Sequence, residues 1–282
     1  MKKEIKKQTG QKQLCALVMA FISVMVISGC NPYHCDNLPE SLRNLETSTH
    51  YMFILWRPAA QPFETFRTAF FNDIAPKLLE RSPQRLAVWM AAPEIKSMTL
   101  INRPRKDGAI VSAIVSATVE SPDAANDFAG ILKSGVVFVA GYEVKRAIPL
   151  DYQRTWPDGE PSPGVVQVTF LRQKAGMTPE AFRNYWFCSH TPYALKIHPL
   201  FRYERNEVVK PITADAPDFN GIVGLYLREV KDMTKLNRFF GGNILVNAPR
   251  IGIDVNKFID MKRVEVTAMT EYILKGGDAG KN

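Results

Sequence analysis

Sliding the 282-residue sequence on itself brings Phe66-Arg67-Thr68-Ala69-Phe70-Phe71 onto Phe182-Arg183-Asn184-Tyr185-Trp186-Phe187, an offset of 116. A proline follows five residues later in each copy, Pro76 and Pro192. A repeat of this kind means that one structural unit has been built twice, so the fold must accommodate two similar halves in a single chain. At nearly the same offset the apolar run from Tyr51 to Trp56 lies over Gln167 to Arg172, and Ile110-Val111 lies over Ile222-Val223. Each half ends on an acidic residue and a tyrosine, Asp151-Tyr152 and Glu271-Tyr272. Between the copies, residues 156–164 hold three prolines and two glycines, which prevent regular structure and mark a boundary.

Both copies give one order of elements. In the second, 165–171 is β-branched and aromatic enough for a strand, and Thr178-Pro179-Glu180 opens a helix that the spacing carries to about residue 197. Strands follow at 201–209 and 221–230, then a short helix at 232–240 and a last strand at 261–274. The first copy predicts strands at 51–56, 86–92, 109–119 and 142–150, with helices at 63–80 and 123–132. The order β-α-β-β-α-β is that of a ferredoxin-like unit, which covers one sheet face with helices and leaves the other bare. Yet the first strand is apolar on both faces, with Tyr51, Phe53 and Leu55 on one and Met52, Ile54 and Trp56 on the other. Such a strand must be covered twice. The expected fold is therefore α+β, with tandem ferredoxin-like units packed sheet to sheet as an intrachain pseudo-dimeric α/β barrel that needs no second chain. The organisation expected is a first unit over 50–152, a linker over 153–164, a second unit over 165–274 and a tail over 275–282.

Charge excludes one class of partner. The formal charge is +8, and Lys2, Lys3, Lys6, Lys7 and Lys12 against Glu4 carry half of it within the first twelve residues. The body has too mild an excess for a phosphate-backbone binder, so no nucleic-acid partner is expected. The lysines precede the apolar run 14–27, then Ser28 and Gly29 before Cys30, the three-part plan of a secretory signal over 1–29. Fourteen apolar residues are short for a span, which needs about 20. Ile27-Ser28-Gly29-Cys30 resembles the bacterial lipobox, which implies acylation of Cys30 and anchoring of the exported protein in the bacterial cell envelope. Asn31 in the next position favours, by the same resemblance, the outer membrane of a Gram-negative cell. Residues 30–49 are polar and aperiodic and read as a tether. Cys35 and Cys188 would remain in the mature chain; their spacing suggests no zinc site, and whether they pair stays open.

The second copy also carries a series of motifs: the strand ending Phe170-Leu171-Arg172, then Thr178-Pro179-Glu180-Ala181-Phe182, Tyr185-Trp186, His190-Thr191-Pro192, Phe201-Arg202-Tyr203, Asn220-Gly221-Ile222 and Phe258-Ile259-Asp260. Over about 165–272 this resembles the EthD family of the dimeric α/β barrel superfamily. The first copy resembles the same fold weakly, with Ala69 and Ile74 where Tyr185 and His190 stand. The resemblance implies a barrel normally closed by two chains and here by two fused copies. Relatives of that fold include cofactor-independent monooxygenases, polyketide cyclases, lactone isomerases and haem-binding or haem-degrading proteins, so the fold alone does not settle the chemistry.

His190 is the leading chemical candidate. It shares a helix with Phe182, Trp186 and Tyr193, close to the sheet-facing stripe, where an imidazole could act as general base at neutral pH. A structural histidine satisfied by a backbone carbonyl is the alternative. Tyr185 could donate to a developing enolate or phenolate oxygen, while Trp186, Tyr193 and Tyr203 are expected to line the substrate cavity. Tyr203 and Asn206, three apart on a strand, point to opposite faces. His34, His50 and His198 read as surface residues, and Arg202, Arg205 and Arg228 as solvated strand faces. Gly241-Gly242-Asn243 reads as a turn. Two classes of function follow. One is a cofactor-independent oxidoreductase of monooxygenase type, or a cyclase or isomerase, acting on a small aromatic or polyketide-like compound. The other is a lipoprotein that binds an apolar or aromatic ligand without turnover. No metal or other cofactor is expected; haem, with His190 as axial ligand, is a minor variant of either class.

Overall fold

The computed structural model describes residues 38–276 except 44 and 47. The signal, lipobox, Cys30, His34 and tail expectations lie outside the described residues wholly or, for the tail, in all but its first two positions. No helix among the described residues is long and apolar enough to cross a membrane. The first copy runs β1 (His50–Arg57), α2 (Phe63–Ala69), a π-helical turn π1 (Phe70–Ile74), α3 (Ala75–Glu80), β2 (Arg85–Ala91), β3 (Ile110–Thr118), α4 (Pro122–Lys133) and β4 (Phe138–Leu150). The second runs β5 (Val165–Leu171), α5 (Pro179–Tyr185), π2 (Trp186–His190), α6 (Thr191–Ile197), β6 (Leu200–Pro211), β7 (Gly221–Leu227), α7 (Val230–Thr234), α8 (Leu236–Phe239), α9 (Ile244–Phe258) and β8 (Glu265–Lys275). A four-residue helix α1 (Glu40–Arg43) precedes both.

All eight strands form one closed antiparallel barrel in the order β1-β3-β2-β8-β5-β7-β6-β4. Each copy contributes a four-stranded sheet, β4-β1-β3-β2 and β8-β5-β7-β6. The second strand of each pairs with the fourth strand of the other, β2 with β8 and β6 with β4. The two joints are thus equivalent, as in the self-complementary interface of a two-fold dimer. Closure gives every strand a neighbour on both sides. The two-faced strand β1 behaves as its sequence requires: Tyr51, Phe53 and Leu55 pack under the first-copy helices, while Met52, Ile54 and Trp56 enter the barrel interior with Trp89, Val168, Phe170 and Tyr226.

The long helix of each copy is interrupted at the same place. π1 and π2 are offset by the same 116 residues as the sequence repeat, and each hands over to a helix with proline at its second position, Pro76 and Pro192. A proline lacks the N–H that would continue the ladder. The turn widens just before it, with Ala75 N–H reaching Phe70 O and Thr191 N–H reaching Trp186 O. Because the π turn recurs where Ile74 replaces His190, it belongs to the fold and not to one site.

The expected order survives with one addition and several shifts. Helix α9 was not expected, and the helix expected at 232–240 is two short pieces. Part of the stretch read as a tether is docked: Leu38 and Leu45 pack on the second-copy core, and Glu46 accepts from Arg146 Nη1 at 2.7 Å. The linker is docked too, through Ser162 N to Glu271 O at 2.7 Å and a bridge from Pro161 to Tyr272. Its last residue, Gly164, has φ +87°, and a Cβ there would lie 2.1 Å from the Leu227 carbonyl oxygen. Gly164→Ala should cost at least about 2 kcal/mol, from a left-handed conformation combined with a backbone clash; urea denaturation of the variant checks this.

Candidate functional site

Helix α5 is capped by Thr178, whose hydroxyl accepts from Ala181 N at 3.1 Å, and directs Phe182 and Trp186 onto the sheet. Gly221 of β7 leaves room for the indole, since a Cβ would sit 2.6 Å from the Trp186 ring. Trp186 and Tyr203 are fully buried against each other, with Trp186 Nε1 3.5 Å from the Tyr203 hydroxyl. Tyr193 is half-buried on α6. The space between helix and sheet, where the substrate cavity was expected, is filled by Phe182, Trp186, Phe187, Tyr203, Val223 and Leu225.

Tyr185 and His190 sit at the edge of that core and meet at a residue the sequence reading missed, Asp254 of α9. The Tyr185 hydroxyl donates to Asp254 Oδ1 at 2.8 Å, and His190 Nδ1 lies 2.6 Å from Oδ2. An ionised carboxylate only accepts, so Nδ1 carries the proton and Nε2 is the nitrogen left for proton transfer. Both rings rest on Phe258 from the end of the same helix, at centroid distances of 5.3 and 5.0 Å. The His190 side chain keeps 14% of its surface exposed. Burial, then the hydrogen bond to Asp254, pushes the Tyr185 hydroxyl well above its ordinary range, so it stays protonated.

Four residues read as exposed are buried. His50 is the first residue of β1, and its Nδ1 and Nε2 lie 2.8 and 2.7 Å from the hydroxyls of Thr118 and Ser116. His198 pairs Nδ1 with the Phe239 carbonyl at 2.8 Å and packs on that ring at 4.4 Å. Arg205 is wholly buried, stacked 3.8 Å over Phe187 and donating to Thr191 Oγ1 and the Leu42 carbonyl. Arg202 lies inside one mouth of the barrel in a charge network. There Glu204 accepts from Arg202 Nη2 at 2.9 Å and from both Nε and Nη2 of Arg146 at 3.0 and 3.1 Å. Glu271 accepts from Tyr226, Ser162, Tyr152 and Trp89 at 2.8, 2.7, 3.3 and 3.3 Å. Alternation with acidic residues on these strands read as a solvated face; in a closed barrel the face carrying Arg202 and Glu204 points inward and its charges pair. Arg228 is exposed, as expected.

The described residues contain no group of three or more metal-ligating side chains. The sheet side of π2 is packed with Trp186 and Phe182, and Phe258 lies against the imidazole, so no haem pocket lies between this helix and the sheet. Cys188 is disulfide-bonded; the other three cysteines lie outside the described residues.

The family model described as EthD domain matches residues 174–262. That span runs from the β5–α5 loop to the turn before β8 and includes Tyr185, His190 and Asp254. No curated protein matches the sequence. Among solved structures, the chain is similar to a protein named "putative monooxygenase" from Fusobacterium nucleatum, at 12% identity over 83% of this chain and 97% of that one, with a TM-score of 0.46. It is similar to an anthrone oxidase-like protein at 7% identity over 82% and 96%, TM-score 0.48. A haem-binding protein from Thermus thermophilus aligns at 9% identity over 87% and 94%, TM-score 0.38. At these scores the likenesses carry no statement about activity. Residues 174–262 thus match the EthD domain, set in an α/β barrel whose other half the same chain supplies.

Proposed function

We propose that this protein is a lipid-anchored envelope protein that oxidises a small, enolisable aromatic or polyketide-like compound, with His190 as general base. The observation that carries the reading is the convergence of Tyr185 and His190 on the two oxygens of Asp254. A carboxylate on Nδ1 orients an imidazole and stabilises the cation formed when Nε2 takes a proton, the logic of a catalytic His–Asp pair. His190 Nε2 removes a proton from an activated methylene; the carbanion then reacts with dioxygen, and overall CH2 + O2 gives C=O + H2O. Tyr185 has one hydroxyl proton and spends it on Asp254, so its part is to position the pair rather than to donate to substrate.

Anchoring rests on the basic and apolar leader and the lipobox-like Ile27-Ser28-Gly29-Cys30, with Asn31 favouring the outer membrane. The Cys188 disulfide supports an oxidising compartment. Closure of the barrel by two halves of one chain supports a monomer. A second reading, an accessory lipoprotein without turnover, is favoured by the filled space between helix and sheet.

The test uses the full chain in detergent with an oxygen electrode and a panel of enolisable aromatic ketones that includes anthrone. His190→Ala should lower the rate by about 10²–10⁴-fold, the usual contribution of a general base. A variant as fast as the wild type would refute the base. A wild type that takes up no oxygen would leave the second reading. Cys30→Ser should release the protein from the membrane fraction and abolish labelling with radioactive palmitate.

A further inference from the structure

The barrel wall has a window. β2 stops at Ala91, paired with Met269, whereas β8 begins four residues earlier at Glu265, and β3 begins at Ile110 but meets β2 only from Ala113. Between the starts of β3 and β8 no strand fills the wall. The β2–β3 connection, residues 92–109, crosses this gap in eighteen residues; its counterpart between β6 and β7, residues 212–220, needs nine. Connections of that length without regular structure are uncommon in compact domains and are often binding loops.

The loop is stitched to the second copy throughout. Ala92 N donates to Ala268 O at 2.9 Å, Ser97 Oγ to Met233 O at 3.0 Å and Thr99 Oγ1 to Gln167 Oε1 at 3.0 Å. Ile101 and Val266 exchange both backbone hydrogen bonds at 2.9 Å, and Arg103 Nε donates to Val264 O at 3.0 Å. Held in this way it does not collapse onto the wall but roofs a pocket of about 560 Å³. That volume is in the range of small-molecule sites. The pocket shares no lining residue with Tyr185, His190 or Asp254.

Its surface is mainly apolar, with Phe170, Val111 and Ala268 among the lining, and three charged side chains join them: Lys96, Arg103 and Glu265. Glu265 is already matched by Arg172, whose Nη1 lies 3.1 Å from Oε1. Arg103 also acts on Glu265, so with Lys96 the lining keeps a net positive charge, and a guanidinium fixed through Nε presents its outer N–H groups as a fork suited to a carboxylate. We infer that this pocket binds a small amphipathic anion, an apolar or aromatic body carrying one carboxylate. The loop that the first copy has gained is what builds the site, so the copy lacking the histidine has its own role. The inference does not depend on the reading of His190.

The probe is 2-naphthoate, titrated calorimetrically into the full chain in detergent, with 2-naphthylmethanol and 2-naphthylmethylammonium as neutral and cationic counterparts. One naphthoate should bind per chain, at least tenfold more tightly than the alcohol, and the ammonium should bind more weakly still. Arg103→Gln, at an exposed position, should remove most of the preference for the carboxylate and leave the alcohol unaffected. Ala91→Phe, which fills the pocket, should abolish binding of both. Equal affinity for carboxylate and alcohol, no binding of the naphthoate, or naphthoate binding that Arg103→Gln leaves unchanged would overturn the proposal.

Discussion

Glu204→Gln should be the most damaging single polar substitution in the barrel, lowering stability by up to about 3–5 kcal/mol, the cost of removing one partner from a buried ion-pair network. The Glu204 carboxylate is 2% exposed and faces two arginines that are 3% and 4% exposed. Burial alone works against its ionisation, but Arg146 and Arg202 outweigh that and hold the carboxyl well below its usual range. Glutamine keeps the shape and removes the charge shared by both guanidinium groups, leaving Arg146 with only the half-exposed Glu46 and Arg202 with Glu271 and Asp151, each at 3.4 Å. The urea midpoint reads the loss. A buried ion pair is not inherently better than apolar packing, so Glu204→Met combined with Arg146→Met should recover part of it. A loss below about 1 kcal/mol in Glu204→Gln would contradict a water-excluded network.

Acidification should destabilise the protein between about pH 6.5 and pH 4, before most carboxylates titrate. Burial pushes His198 down to about 4, against a partial opposing effect of the Phe239 carbonyl, and burial with Arg146 nearby pushes His50 well below 6.5. Both are depressed in the folded state, so the unfolded chain takes up their protons first. Their contribution is complete above the unfolded value near 6.5 and is lost as the pH falls toward the folded values. For His198 alone the loss by pH 4 is about 3 kcal/mol, at 1.36 kcal/mol per pH unit. Glu265 runs the other way, because burial raises its carboxyl and acid relieves it. Urea midpoints from pH 7.5 to 4 should fall steeply in the wild type and less steeply in His198→Gln. Parallel curves would show that His198 titrates alike in both states.

The fold was legible because two signals agreed. The repeat called for two copies of one unit, and the two-faced strand Tyr51 to Trp56 demanded a second cover that only the other copy could supply. What could not be read was which polar residues face inward. In a half-exposed sheet, Arg202 and Glu204 would mark the solvent side; once the barrel closes, that face is the interior and the charges must pair. His50 and His198 were misread for a similar reason, since an isolated histidine near a strand end carries no sign of the hydroxyls or carbonyl that will meet it.

The candidate site was half legible. Tyr185 and His190 stood out by resemblance and spacing, but Asp254, which joins them, lies on a helix that the pattern concealed. Pro249 lies inside α9, where a sequence pattern would end a helix, and only Phe258 of its fifteen residues is buried, while Leu245, Val246 and Ile253 face outward. With apolar residues on the exposed side, no stripe pointed to a core, and the preceding Gly241-Gly242-Asn243 suggested only a turn. The expectation of a cavity beneath His190 failed because the aromatic side chains that suggested a ligand pocket pack on one another.

A general base at His190 requires a neutral ring with its proton on Nδ1, facing Asp254, and a lone pair on Nε2. A long-range ¹H–¹⁵N correlation spectrum of the full chain at pH 7.5, with His190 assigned by comparison with His190→Ala, tests this without any substrate. The account predicts the Nδ1–H tautomer for His190, lost or mixed in Asp254→Asn. A ring carrying its proton on Nε2, or protonated on both nitrogens at that pH, would contradict it.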